Sequence, residues 1–544
     1  MVRLRSSCGI AAASLALSSV GAYAGRAQQM PTMAVRGRNP LTDEFGAFVR
    51  QKLEKWKVPG MSLAVIDGHD VYAQGYGYAT LPDHKATAET IWYGASTTKA
   101  QTAAVLAHLI DSNEYPELAD GWASKISSMI RDDFVLDDAW ATNHVTLEDA
   151  ASHRTGMPRH DKASASVVNG TQVTPKDVVR NLRNLRLNLE LRVAFQYCNL
   201  MYVVLGHVIE TITGKGLGRV MRQVIWEPLG MDSTYLGLDD VPKDRLATGY
   251  YWDEQARVYH DIPPMALTEV AGAGSVVSTV VDYAQWLHCL IHETAPFSER
   301  VHAEFKKPRI LAGETASAGL DISLYGLGWE RNLYKGHVIY THNGGLDSFG
   351  AQVYWLPDAR FGVVAFANTA LTSNAVEDVV IYRLIEDKLG IPKRERFDFD
   401  KKWQEAIDKI KRPDTNVDKI LFPKHPTPPL PSTFRIKDLV GSYWDPGYGE
   451  FTLRQEPHPD RRGDKILVAD RDDMTWRYQL RLHHASGDFW VVYAVVPRNP
   501  TFLHEFHPGE FTRGVDGKVS GLEIQWLNRR EDINEGKVVF KKLP

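Results

Sequence analysis

Three short segments of this 544-residue chain carry residue types able to break an acyl bond: Ser96-Thr97-Thr98-Lys99, Tyr197-Cys198-Asn199 and His342-Asn343-Gly344-Gly345. A serine and a lysine three residues apart share one face of a helix, which places Lys99 directly behind the Ser96 hydroxyl. Ala100, Ala103, Ala104, Leu106 and Ile110 follow and make that helix apolar on most sides, hence buried. Burying a lysine costs free energy unless it is paired or its pKa falls. A desolvated amine beside a hydroxyl is also a means of activating a nucleophile. The helix N-terminus adds positive potential where an oxyanion would develop. Ser96 is thus the expected nucleophile and Lys99 its proton acceptor. Singly the segments say little, since S-x-x-K or Y-x-N arises by chance roughly once or twice in a chain this long.

Tyr197 and Asn199 stand at the entrance to a second apolar helix marked by Tyr202, Val203, Leu205, Ile209 and Ile212 and closed by Gly214. Two residues apart in a non-helical segment, their side chains point the same way. A tyrosine hydroxyl there can relay a proton between Ser96, Lys99 and a leaving group, and the Asn199 amide can bond both Lys99 and a substrate carbonyl. Gly344 and Gly345 let a substrate backbone approach closely, and the N–H groups of Gly345 and Ser96 would form an oxyanion hole. Cys198 offers a competing nucleophile, but nothing adjacent activates it, and a buried cysteine is usually a small hydrophobe. His483-His484 and His504-Glu505-Phe506-His507 lack metal-ligand spacing and read as surface histidines. His153 and His160 read as shaping the loop around Gly156. Neither a metal site nor a cofactor is expected.

The elements that must position these groups follow from the patterning. Thr42 caps a helix in which Phe45, Phe48, Val49, Leu53 and Trp56 fall near helical spacing. Met61–Ile66 and Val71–Tyr78 read as two strands joined at Asp67-Gly68. A helical middle is followed by strands again at Gln352–Leu356 and Phe361–Phe366. Strand-rich ends around a helical middle imply an α+β sheet domain with a helical insertion, spanning residues 40–392. Residues 393–433 hold a charged helix and a proline-crowded linker. From 434 to 544, short alternating segments predict a small antiparallel β-barrel or sandwich, expected to fold as a separate unit.

The net charge of -4 and the lack of a basic run argue against a nucleic-acid partner. Arg3 and Arg5, the small apolar residues from Cys8 to Ala22 and the Ala22-Tyr23-Ala24 site match a secretory signal over residues 1–24. A secreted protein without a stable membrane anchor is expected. Asn169-Gly170-Thr171 is a candidate glycosylation sequon.

In this order and at these separations, the three segments resemble the serine β-lactamase and penicillin-binding protein superfamily, with its pattern S-x-x-K, Y-x-N and K-T-G or H-x-G. They are most similar to the class C β-lactamase and D-Ala-D-Ala carboxypeptidase B branch, with its D-aminopeptidase, esterase and acyltransferase relatives. Ala151–Pro158 and Gly272–Thr279 resemble two further stretches of that family. The resemblance implies a β-lactamase/transpeptidase-like fold: an antiparallel sheet flanked by helices plus a helical subdomain. It implies catalysis by Ser96, Lys99 and Tyr197, with Asn199, His342, Asn343, Gly344 and Gly345 binding substrate. The C-terminal barrel is loosely similar to the lipocalin-like domains appended to some of these peptidases. His342 stands where penicillin-hydrolysing relatives carry lysine, which favours a peptidase, esterase or acyltransferase on a small-molecule or short-peptide substrate. A transesterase of small-molecule metabolism and a non-catalytic binding or sensor module are the alternatives. The oligomeric state is open.

Overall fold

Thr42 accepts the Phe45 N–H and starts helix α1 (Asp43–Trp56), which buries Phe45, Val49, Leu53 and Trp56. The computed structural model describes residues 39–544 apart from 315, 317–318, 412–415, 460, 462, 500–503 and 529–532. The 1–24 signal segment lies outside the described residues. After α1 the chain enters β1 (Gly60–Asp67), β2 (Asp70–Thr80) and β3 (His84–Lys85). It returns to the same sheet much later through β4 (Ile310–Gly313), β5 (Ser323–Tyr325), β6 (Glu330–Tyr334), β7 (His337–Gly345), β8 (Gly350–Leu356) and β9 (Phe361–Ala367). The nine strands lie in the order β4-β5-β6-β7-β8-β9-β1-β2-β3, all neighbours antiparallel. The first strand thus pairs with the last, Leu63 opposite Ala365 and Val65 opposite Val363.

Both faces of this sheet are covered, and the strand alternation divides the core in two. Leu63, Val65, Val363 and Ala365 face α1 and the long helix Thr372–Lys388. Ala64, Ile66, Val364 and Phe366 face the other way, toward α2 (Thr98–Ser112), α3 (Asn199–Thr213) and α4 (Val280–His292). This two-sided burial is why β1 and β9 read as unbroken apolar runs rather than alternating ones.

Residues 441–542 form a closed eight-stranded antiparallel barrel, its first strand Gly441–Asp445 pairing with its last, Ile533–Lys542. Closure removes the exposed edges that an open sheet would present. The helix Phe399–Lys411 does not float in the linker. Asp400 receives bonds from Lys52 Nζ (2.7 Å) and Trp56 Nε1 (2.8 Å), and Trp403 Nε1 donates to Asp378 (2.9 Å). The barrel also docks. His160 Nε2–H donates to Arg186 O (2.9 Å), so its Nδ1 accepts from the Tyr448 hydroxyl of the barrel (2.8 Å). Thr475 donates to Glu269 (2.6 Å), and Ser166 N donates to Asp473 O (2.8 Å). Residues 39–544 make one compact unit. Among the described residues no helix is long and apolar enough to cross a membrane.

Candidate active site

The turn that presents Ser96 is built by its own two threonines. Ala95–Thr97 form a 3-10 turn running straight into α2, so Lys99 lies in the first turn of that helix. Ala95 is held in the left-handed region at φ 46°, a conformation costing about 1–3 kcal/mol for a non-glycine residue. The surroundings fix it. Thr97 Oγ1 donates to Gly94 O (2.8 Å) and accepts from the Tyr283 hydroxyl (2.7 Å). Thr98 Oγ1 donates to Ala95 O (2.6 Å) and accepts from Val276 N (3.0 Å). Gly94 is required, because a Cβ there would lie 2.8 Å from the Tyr283 oxygen. Ser96 is left half-buried at a cavity, with Lys99 fully buried beneath it.

Lys99 Nζ lies 3.1 Å from Ser96 Oγ, 2.8 Å from Asn199 Oδ1 and 2.7 Å from Ala273 O. Asn199 cannot turn its amide the other way, because its Nδ2 donates to the Asp161 carboxylate (2.9 Å). Two partners of the lysine are therefore pure acceptors. Burial, and then the Arg159 guanidinium, hold the Lys99 pKa well below the ordinary lysine value, against a smaller opposing pull from Asp161. A neutral amine has two N–H donors and one lone pair. In the neutral form, with both donors taken by Asn199 and Ala273, the lone pair would face the Ser96 hydroxyl.

Tyr197 brings its ring under this amine, 4.9 Å from Lys99 Nζ to the ring centroid, with Arg159 Cζ over the same ring at 4.9 Å. The His153 ring lies 4.3 Å from it. His153 Nδ1 accepts the Cys198 N–H (3.0 Å), which fixes the backbone between Tyr197 and Asn199. Cys198 is wholly buried, and burial pushes its thiol up to about 12, so it holds no thiolate near neutral pH. Cys198→Ala is expected to keep most of the activity. Loss of acyl-enzyme in a well-folded Cys198→Ala protein would return the cysteine to consideration. Tyr197→Phe is expected to lower kcat at least about 100-fold, the usual scale for a proton-transfer partner. A loss under tenfold would route the proton elsewhere.

The third segment lies on β7, and its residues divide between the two faces of the strand. Gly344 passes so close to the nucleophile turn that a Cβ would lie 2.5 Å from Gly94 O. Gly345 lines the cavity together with Ser96 and Asn199. His342 and Asn343 are not among the residues that line it, although the His342 ring lies 6.2 Å from that of Tyr197. His342 is 1% exposed, its Nδ1–H donating to Asn343 O (2.6 Å) and its Nε2 accepting from Tyr325 (3.0 Å). Burial, then Lys99, lowers it to about 3, so the ring is neutral and serves to hold the strand. Asn343 is exposed and, by strand alternation, points away from His342.

The cavity of about 290 Å³ is bounded on one side by the barrel, through Trp476, Arg477 and Glu505. Glu505 pairs with the half-buried Lys162 (2.5 Å). Burial opposes the charge on Lys162, but Glu505 and Glu535 outweigh it and raise its pKa, while burial lifts Glu535 to about 7. Within the His504–His507 stretch Glu505 lines the cavity and His507 is fully buried rather than on the surface.

The model of the Beta-lactamase family matches residues 45–385. The chain belongs to the beta-lactamase family. The unguisins hydrolase ungD' of Aspergillus campestris is 37% identical over 509 residues, covering 93% of this chain and 92% of that protein. The octameric penicillin-binding protein homologue of Pyrococcus abyssi superposes with a TM-score of 0.58 at 19% identity, covering 91% of this chain and 99% of that one. The D-amino acid amidase of Ochrobactrum anthropi SV3 covers 63% of this chain and 98% of its own, with a TM-score of 0.54 at 20% identity. The fold is β-lactamase/transpeptidase-like, and family and site together support a serine hydrolase.

Sequence reasoning missed Arg159, Asp161, Tyr325 and Glu505. Arg159 and Asp161 follow immediately on the Ala151–Pro158 stretch, which was the one signal for them. Tyr325 and Glu505 had none, since only the sheet and the docked barrel bring them to the site.

Proposed function

We propose that this protein hydrolyses an amide bond of a small peptide-like substrate through a Ser96 acyl-enzyme. The observation that carries this reading is the Lys99 amine, buried and below its ordinary pKa, 3.1 Å from Ser96 Oγ with its two donors engaged elsewhere. Lys99 takes the Ser96 proton as Oγ adds to the substrate carbonyl. The resulting oxyanion is held by the N–H groups of Ser96 and Gly345. As the C–N bond breaks, the proton passes through Tyr197 to the leaving nitrogen, giving an amine and the acylated serine. Water then attacks the ester, its proton taken by the same groups, and Ser96 is released with a carboxylic acid. The need to protonate an amine leaving group gives Tyr197 its place. Met265, Leu267 and Val270 in the cavity suit an apolar side chain of the substrate, and Arg159 and Arg477 suit its carbonyl or carboxylate groups. The 37% identity to an unguisins hydrolase over nearly the whole chain favours hydrolysis over a non-catalytic role. Export through the secretory pathway belongs to the same proposal, supported by the exposed hairpin turn in which the Asn169 sequon sits.

The test is turnover of matched peptide p-nitroanilides and p-nitrophenyl esters, with intact-protein mass spectrometry after brief reaction. Amide turnover with a mass increase located on Ser96 supports the reading. Turnover of esters with no amide cleavage would make the protein an esterase, and transfer of the acyl group to an added alcohol in preference to water would make it a transesterase.

A further inference from the structure

Outside the active site, three histidines far apart in the chain meet at one end of the sheet. His69 lies in the turn between β1 and β2, and His288 and His292 lie four residues apart on α4. Side chains at that spacing share a helix face. One nitrogen of each ring lies within 4.8 Å of those of the other two. The rings of His69 and His292 are 4.2 Å apart, and those of His288 and His292 are 4.3 Å apart.

We propose that His69, His288 and His292 form a binding site for a divalent ion of the zinc class, which ties the β1–β2 turn to the end of α4. Imidazole suits zinc, copper and nickel, and not calcium or magnesium, which take oxygen ligands. His292 already has the arrangement a ligand needs. Its Nε2 lies 2.6 Å from Gly68 O. A carbonyl can only accept, so the proton is on Nε2 and Nδ1 presents its lone pair. A histidine ligand characteristically gives its other N–H to a backbone carbonyl in this way, which fixes tautomer and ring orientation. The Gly68 carbonyl is itself fixed. Gly68 takes φ 65° and donates its N–H to Arg360 O (2.8 Å). The site also stands at the C-terminus of α4, whose last helical residue is His292, and the partial negative charge there favours a cation.

A tetrahedral ion with bonds of about 2.0–2.1 Å needs ligand nitrogens about 3.3 Å apart. His69 stacks on His292 at 15° and is exposed, so its side chain must rotate to aim a lone pair at the ion and close the gap, leaving a fourth position for water. None of the three residues lines the catalytic cavity, so the ion's role is to hold the turn, separate from the Ser96 chemistry.

The experiment is titration of the full chain with Zn²⁺ against a chromophoric chelator, alongside His69→Ala/His288→Ala and, as a control, Mg²⁺. The expected result is one Zn²⁺ bound per chain in the micromolar range or tighter, no Mg²⁺ binding, and at least a tenfold weaker affinity in the double variant. Thermal unfolding should shift upward with Zn²⁺ in the parent and not in the variant, as linkage requires of an ion that binds only the folded state. Circular dichroism checks that the variant retains its fold, and His292→Gln provides a second loss of ligand should it not. Equal Zn²⁺ affinity in parent and variants, or no zinc binding to the parent in that range, would overturn the site. Hydrolysis by Ser96 is expected to be unchanged in the double variant, so this result stands apart from the reading of the catalytic centre.

Discussion

Ser96→Ala is expected to remove acyl-enzyme formation and to lower turnover on the order of 10⁴–10⁶-fold, the scale seen when the nucleophile of a serine hydrolase is deleted. The hydroxyl stands at the start of α2 with the Lys99 amine 3.1 Å behind it, and in the proposed mechanism it adds to the substrate carbonyl and leaves again. The substitution should not disturb the fold. Lys99 keeps its bonds to Asn199 Oδ1 and Ala273 O, and the turn is clamped by Thr97 and Thr98 rather than by Ser96. The check is fluorophosphonate labelling followed by intact-protein mass, with circular dichroism as the control. A well-folded alanine variant that still labels and turns over would overthrow the catalytic assignment.

Lys99→Arg is the second large loss expected, and it tests chemistry rather than charge. An arginine retains a cation but cannot act as a base at any accessible pH. If Lys99 takes the Ser96 proton, the rate should fall about 10²–10⁴-fold. If Lys99 only supplies positive charge, arginine should retain much of it. The pH profile adds a signed test. The active form of the amine is neutral, so activity falls as acid protonates it. Because burial and then Arg159 lower its pKa, that fall should lie well below the pH at which an ordinary lysine titrates. Arg159→Met should move the acid limb to higher pH and Asp161→Asn should move it lower, since the first group depresses the lysine pKa and the second raises it. Displacements in the same direction would disprove this electrostatic account. The same group has a stability signature. The unfolded chain protonates Lys99 below about pH 10.5 and the folded chain resists it until the lowered pKa is reached. Lys99 therefore destabilises the fold at neutral pH, and the penalty shrinks as pH rises toward the unfolded value.

What was readable from the sequence was local. Ser96 and Lys99 sit three residues apart, so helical geometry alone brings them together, and the apolar residues that follow state that the helix is buried. The α1 cap at Thr42, the β1–β2 turn and the β8–β9 hairpin also rest on neighbouring residues. The closed barrel was legible as short alternating strands separated by turn residues. The amino-acid sequence thus determined that Ser96 and Lys99 meet at the start of one buried helix, and it determined the two kinds of architecture in the chain. The tertiary structure decided which way each distant side chain faces. His342 stood at the right place in the motif, yet the pleat of β7 and the hydroxyl of Tyr325 turn it into the core and lower it to about 3. Glu505 carried no signal in sequence, and docking of the barrel sets it at the cavity beside Lys162. The state of Lys99 depends on Asn199, Ala273, Arg159 and Asp161, which come from separate stretches of the chain. Burial and charge act through space, and proximity in space between residues remote in the chain is set by the packing of the whole fold.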